Sequence, residues 1–291
     1  MRLLTNPNLE NSKKVVLGDG EIMSIIYHDI FDYPLSFGEL IKWRAKGGLK
    51  SKALTPTIIR RKGQFLIDGK DSSLIKKVMK KRVSVRKLKL AKAVAITLSR
   101  IPTIEMVGVT GALAMQSADE VSDIDLMIIT SKDALWSTRL LTYFMLAIFR
   151  VGVRRPGKSN NKDKICLNIW LDESQLKWKK GDRNYYTAHE IAQVVPVFDR
   201  GVYSKFISEN SWVSDYWPNA LRINNLHSKP RKLSKSKTHS IIRFIEPLAR
   251  KIQLIYMKKK ITREVVENKR ALFHPFDWGE VVSTRFNTYL K

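Results

Sequence analysis

The sequence predicts a mixed α/β (α+β) protein, and three observations carry that expectation. Residues 104–130 read strand, glycine turn, short helix, strand; the first 70 residues set helical spacing before a basic hairpin; and from about Gln175 helical spacing dominates to Lys291. Of the 291 residues 44% are hydrophobic, enough apolar surface to offset chain entropy, which excludes a disordered or fibrous chain.

In chain order, Glu21–His28 places Ile22, Ile25 and Ile26 at helical spacing, and the FDYP segment stops that helix at Pro34. Ser36 followed by Glu39 is a capping-box pattern ahead of Leu40, Ile41 and Trp43, with Gly47 and Gly48 as the stop. After Pro56, residues 57–68 alternate about Lys62-Gly63 and predict a hairpin. Helices followed by a basic hairpin resemble a winged helix. That resemblance implies a wing on which Arg60, Arg61 and Lys62 touch nucleic-acid phosphates, although a module that merely packs on its neighbour reads the same way.

Residues 71–100 predict one long helix whose buried stripe is Val78, Val85, Leu88, Ala91, Ala95 and Leu98. Its other face carries Lys76, Lys77, Lys80, Lys81, Arg82, Arg86, Lys87, Lys89 and Lys92, which repel one another unless an anion or a partner carboxylate lies nearby. The most apolar segment, Leu140 to Phe149, is about half the ~20 residues a bilayer span needs and sits between Arg139 and Arg150, so it predicts a buried helix and no membrane partner. Further on, Thr187 and Glu190 repeat the capping-box pattern ahead of Ile191, Val194 and Val195. An acid-free basic tract over 228–240 and the run Lys258-Lys259-Lys260 predict a linker or a phosphate contact. The expected organisation is a module at 1–70, a basic connecting helix at 71–100, a core at 101–175 and a helical region at 176–291, with no internal repeat.

With 53 Lys+Arg against 27 Asp+Glu, the net charge of +26 favours a polyanionic partner, RNA or DNA, or else a heavily solvated cationic surface. A single cysteine, Cys166, cannot form an internal disulfide, and the opening residues lack the apolar stretch of a secretion signal; both lead to the expectation of a cytoplasmic protein.

The chemistry is expected in residues 104–130. Side chains on a strand alternate, so Asp123 and Asp125 share a face, about 6.5–7 Å apart along the chain. Same-face carboxylates at the mouth of an apolar strand repel without a cation, and hard oxygen donors of this kind suit Mg²⁺. Gly111 lets backbone N–H groups approach an anion in front of the following helix. On a neighbouring strand, Ile165–Asp172, Cys166, Asn168, Trp170 and Asp172 are expected on one face, with Cys166 an inert small side chain.

These residues resemble the DNA polymerase β-like nucleotidyltransferase superfamily, whose signature is Gly-Ser, a short helix, then Asp-x-Asp at the start of a strand. Here Gly111 lies twelve residues before Asp123, and residues 122–126 read SDIDL. The resemblance covers about 101–175 and implies a mixed sheet with helices. It further implies Asp123 and Asp125 as metal ligands and catalytic residues, and Gly111, Ala112 and Ser122 at a bound nucleotide. A nucleoside monophosphate, most often AMP, would pass from an NTP to an acceptor hydroxyl, with RNA the first candidate and Mg²⁺ the cofactor. Ala112 replaces the family's phosphate-binding serine, Gln116 a second glycine, and Asn168 aligns with the third carboxylate, for which Asp172 could substitute. The alternative is a degenerate copy of the fold acting as a nucleic-acid-binding or regulatory protein.

His28, His189, His227, His239 and His274 show no metal-ligand spacing, and His189 is expected on a helix surface or interface. Trp212, Tyr216, Trp217 and the segment 274–278 could stack on bases, but packing of a helical region accounts for them.

Overall fold

The computed structural model describes residues 2–3, 16–51, 55–155, 161–221, 237–258, 265–273 and 278–288. Arg2–Leu3 (β1) pairs antiparallel with Val16–Leu17 (β2), and helix α1 follows at Asp19–Asp29. Leu35–Ser36 (β3) leads into Phe37–Lys42 (α2), where the Ser36–Glu39 capping box is formed in full. The predicted hairpin is Ile58–Arg61 (β4) with Gln64–Ile67 (β5), and β3 completes a three-stranded antiparallel sheet in the order β3-β5-β4. Its two-residue turn places Lys62 at φ 47° and Gly63 at φ 74°, the left-handed pair that matches strand twist.

Ser72–Leu98 (α3) is the long helix. The remainder builds one mixed six-stranded sheet from Ile104–Val109 (β6), Ile124–Thr130 (β7), Ile165–Asp172 (β8), Val195–Asp199 (β9), Val265–Val266 (β10) and Arg270–Leu272 (β11), in the order β10-β11-β8-β7-β6-β9. Among these six strands β7 and β8 are the parallel pair, and the other pairings are antiparallel. Around it stand Gly111–Ala114 (α4), Leu135–Ile148 (α5), Tyr185–Ala192 (α6), Val202–Glu209 (α7), Lys237–Phe244 (α8), Glu246–Met257 (α9) and Trp278–Asn287 (α10).

Each sheet face owns a core. One face supplies Met106, Met127, Ile129, Ile169 and Leu171 to a cluster with Tyr27, Trp43, Ile191, Phe206, Trp217 and Phe286, so α1, α6, α7 and α10 share one interior. The other supplies Val107, Val109, Leu126, Ile128 and Trp170 to a cluster with Ala91, Ala95 and Leu98 of α3, Trp136 and Leu146 of α5, and Ala249 and Met257 of α9.

Four expectations are corrected. In α3, Val78 and Val85 are 57% and 52% exposed, and the buried apolar stripe is confined to the second half. A helix of 27 residues spans ~40 Å, about twice the length of the strands it lies on, so its first half overhangs the sheet. In α5, Leu140, Phe144 and Ile148 are exposed; one face alone is covered, by the sheet and α9. The helical third also contributes β9, β10 and β11, which pair on sheet edges that local spacing does not reveal. The capping box of α6 uses Asn184 and Thr187, not Thr187 and Glu190. Trp212 and Trp217 are buried, as packing requires. Residues 274–277, 259–260 and most of the 228–240 tract lie outside the described residues. No helix among the described residues is long and apolar enough to cross a membrane.

Candidate active site

The mouth of the parallel pair β7–β8 is assembled from three local constraints. Asp123 precedes β7 on a loop that closes on itself: Ser122 N donates to Asp119 Oδ1 (2.8 Å) and Ser122 Oγ to Asp119 O (2.9 Å). Lys87 of α3 anchors that loop from below, its side chain wholly buried, donating to Ser122 O (2.7 Å), Glu120 O (3.3 Å) and Asp163 Oδ1 (2.8 Å). Together with Arg86, which pairs with Asp163 and Glu120, it gives part of the basic helix the carboxylate partners its charge demands.

The second constraint is register. Asp125 stands opposite Cys166 in the parallel ladder, which brings oxygen atoms of Asp123 and Asp125 and the Cys166 sulfur within 4.8 Å of one another. The two acids therefore share a face, as their spacing predicts. Asn168 Nδ2 donates to Asp125 Oδ1 (2.9 Å), and Arg154 Nη1 donates to Asp123 Oδ2 (2.8 Å) and lies 3.7 Å from Cys166 Sγ.

The third is the turn after β6. Gly111 has φ 60°, and a Cβ there would come within 2.7 Å of Asp125 Oδ2, so only glycine lets the backbone lie this close to the carboxylate. Thr110 N donates to Asp125 O (3.1 Å). The helix behind the turn, α4, is a single turn of four residues, so its dipole contributes less than a full helix would. Ala112 is exposed on that turn.

Electrostatically the site is under-compensated. Burial, with the like charge of Asp123 added, pushes the Asp125 carboxyl up to about 7, against the opposing pull of Cys166 and Arg154. Burial also raises the Cys166 thiol, helped by Asp125 and Asp123. From α6, Glu190 is pushed up to about 8, by burial first and then by the charge of Asp125, while Gln193 donates to it. At this site two buried oxygens lack a hydrogen-bond partner among the described residues: Asn168 Oδ1, on a residue 6% exposed, and Thr110 Oγ1. Paired acids, an orphaned amide oxygen and a glycine cradle fit a divalent cation held by Asp123 and Asp125.

Asp172 is not part of this site. The ladder slips between Leu126/Leu167 and Met127/Ile169, a bulge at Asn168 that moves Trp170 to the face opposite Cys166 and Asn168, and Asp172 with it. Its carboxylate is consumed by Asp133 N (2.6 Å), Ser174 N (2.9 Å) and Ser174 Oγ (2.5 Å). The Ser122 hydroxyl is turned to Asp119, and its carbonyl is held by Lys87. Cys166, expected to be inert, is a member of the cluster. Glu190 escapes a sequence reading because its capping-box pattern competes with that of Asn184; its only cue is a carboxylate on the buried side of an apolar helix. His189 is buried against His28 (Nε2 to Nε2, 3.2 Å) and stacked on Trp43, an interface residue whose imidazole burial holds well below its usual range.

No protein-family model, curated protein or solved structure matches the chain.

Proposed function

We propose that the protein is a divalent-metal-dependent nucleotidyltransferase of the polymerase β-like fold that moves a nucleoside monophosphate, AMP by preference, from an NTP to an acceptor hydroxyl. The observation that carries this reading is the Asp123–Asp125 pair, half-buried against the Gly111 turn and left without enough donors of its own. Asp123 and Asp125 would hold the cation, which when bound neutralises triphosphate charge for in-line displacement.

The chain's own residues supply the rest. The Gly111 turn presents backbone to the phosphates without a side chain in the way. Arg154, 34% exposed, can leave Asp123 and take up a phosphate oxygen as the cation arrives. Asn168 orients Asp125 through its amide hydrogen bond and cannot accept a proton from the acceptor. Glu190 on α6, whose ionisation the charge of Asp125 opposes, is the carboxylate we assign as proton acceptor for the attacking hydroxyl. Exposed Lys81, Arg82, Lys89 and Lys92 on α3 favour RNA as the acceptor.

The missing serine at Ala112 and the Arg154–Asp123 pair also favour a second reading, a nucleic-acid-binding or regulatory protein with a catalytically silent centre. Incubating the protein with Mg²⁺ and each labelled NTP, then separating RNA, protein and small-molecule fractions, decides between them. Labelling that Asp123→Ala and Asp125→Ala abolish is the expected result. No labelling with wild-type protein, alongside salt-sensitive nucleic-acid binding, favours the second reading.

A further inference from the structure

Oxygen is not the only donor aimed at the space between the two acids. The Cys166 sulfur completes the group within 4.8 Å, on the same sheet face, and Asn168, more than nine-tenths buried, is bonded to Asp125 in that group with its Oδ1 unpartnered. Four-coordinate Zn²⁺ with bonds of about 2.0 Å to oxygen and 2.3 Å to sulfur sets its ligand atoms ~3.5 Å apart. The cluster reaches that geometry by contracting about an ångström.

We propose that this site accepts a thiophilic divalent cation, Zn²⁺ or a metal of similar softness, with Cys166 as a third ligand beside Asp123 and Asp125, in competition with Mg²⁺. The inference rests on the two acids being the cation site of the preceding reading, and adds a ligand to it. Mg²⁺ takes oxygen donors and leaves a neutral thiol at the edge of its shell, whereas a softer ion binds sulfur as the thiolate. On binding, the Cys166 S–H bond breaks, a metal–sulfur bond forms, and the proton passes to water. Two carboxylates and one thiolate then face the dication and Arg154, which already lies 3.7 Å from the sulfur, so three negative charges meet three positive ones. A fourth position stays open for water or a phosphate oxygen. Which metal the cell supplies would then set whether the centre is poised for transfer or held in a tighter, slower complex.

Cys166 is the chain's one cysteine, so any thiolate–metal absorption belongs to it. Titrating the full-length protein with Cd²⁺ as a spectroscopic stand-in should produce a sulfur-to-metal charge-transfer band that saturates at one equivalent and is suppressed by equal Zn²⁺ but not by equal Mg²⁺. Cys166→Ser should lose the band and weaken Zn²⁺ binding by about 10-fold or more, since loss of even an indirect supporter costs 10–100-fold, while Mg²⁺ binding is unchanged. Asp125→Asn should lose both metals. Folded wild-type protein that binds Cd²⁺ without the band, or does not bind it, overturns the proposal, as does Cys166→Ser binding Zn²⁺ as tightly as wild type. Should Cys166→Ser unfold, Cys166→Ala is measured instead, and the wild-type band stands on its own. A band without nucleotide labelling would leave this metal site in place and remove the transfer reading; labelling without a band would do the reverse.

Discussion

Asp125 and Asp172 sit on the two strands of one parallel pair, about five residues or ~17 Å apart along it, and differ in who supplies their hydrogen bonds. At the far end, two backbone N–H groups and the Ser174 hydroxyl fill the lone pairs of Asp172, which is 1% exposed. At the mouth, Asp125 has one amide donor and a thiol, with a second acid beside it. Burial alone therefore does not mark a functional carboxylate. Burial without enough donors does, because the deficit is what a cation would fill.

Exchanging charge for amide at the two ends should separate function from stability, and this is the largest expected effect. Asp125→Asn should lower transfer by about 10³-fold or more, as loss of a principal electrostatic stabiliser does. It should also stabilise the fold. The folded carboxyl titrates at about 7 against ~3.9 in the unfolded chain, so the folded state holds the extra proton, and wild type loses stability as pH rises from 4 to 7. The unfolding free-energy advantage of Asp125→Asn should be absent at pH 4 and approach ~4 kcal/mol, its ceiling, above pH 7. Asp172→Asn should do the opposite, costing ~1–3 kcal/mol by setting an amide against N–H donors while sparing transfer per folded molecule. Urea denaturation and initial rates on both variants measure this; transfer lost at Asp172 and kept at Asp125 would invert the assignment.

Glu190 extends the deficient end onto a helix. Glu190→Gln should reduce transfer ~10²–10⁴-fold with little change in nucleotide affinity, the signature of a lost proton acceptor. In wild type the rate should climb with pH and level off above about 8, where the Glu190 carboxyl has ionised; the variant should lose that limb. A pH profile that Glu190→Gln leaves intact would place the proton acceptor elsewhere.

A third test contrasts two lysines of α3. Lys87, wholly buried, holds the loop that carries Asp123, and Lys87→Met should cost about 3 kcal/mol by stranding two carbonyls and Asp163. Exposed Lys81→Met should stay within ~0.5 kcal/mol. If the loop is what positions Asp123, metal affinity should fall with the first and not the second.

The legible parts of this chain were those with local chemistry. The SDIDL strand entrance, the Ser36–Glu39 box and the Lys62-Gly63 hairpin each follow from residues within a few positions of one another. What stayed hidden depends on distant partners. The bulge at Asn168 defeats simple alternation and turns Asp172 away; β11 reaches β8 from a hundred residues on; and Lys87 looks like one more surface cation until Asp163 and the 120–122 loop close over it. Cys166 was visible as a strand residue, but its chemistry is set by Asp125 across the ladder, a register that no local pattern specifies.

The smallest expected effect concerns the loop joining the two halves of the site. Gln116 has φ 54°, a left-handed backbone that a glycine adopts without a Cβ penalty, and it stands where the resembled family often has glycine. Lys62 bears the same conformation at φ 47° in the β4–β5 hairpin. Relief of the Cβ penalty competes with the greater unfolded-state entropy of glycine, so Gln116→Gly and Lys62→Gly should each stabilise by only ~0.5 kcal/mol. Equal gains would mean that both positions are ordinary turns. A gain at Lys62 paired with a loss of transfer at Gln116 would mean that the Gln116 side chain supplies the contact which Ala112, lacking a hydroxyl, does not.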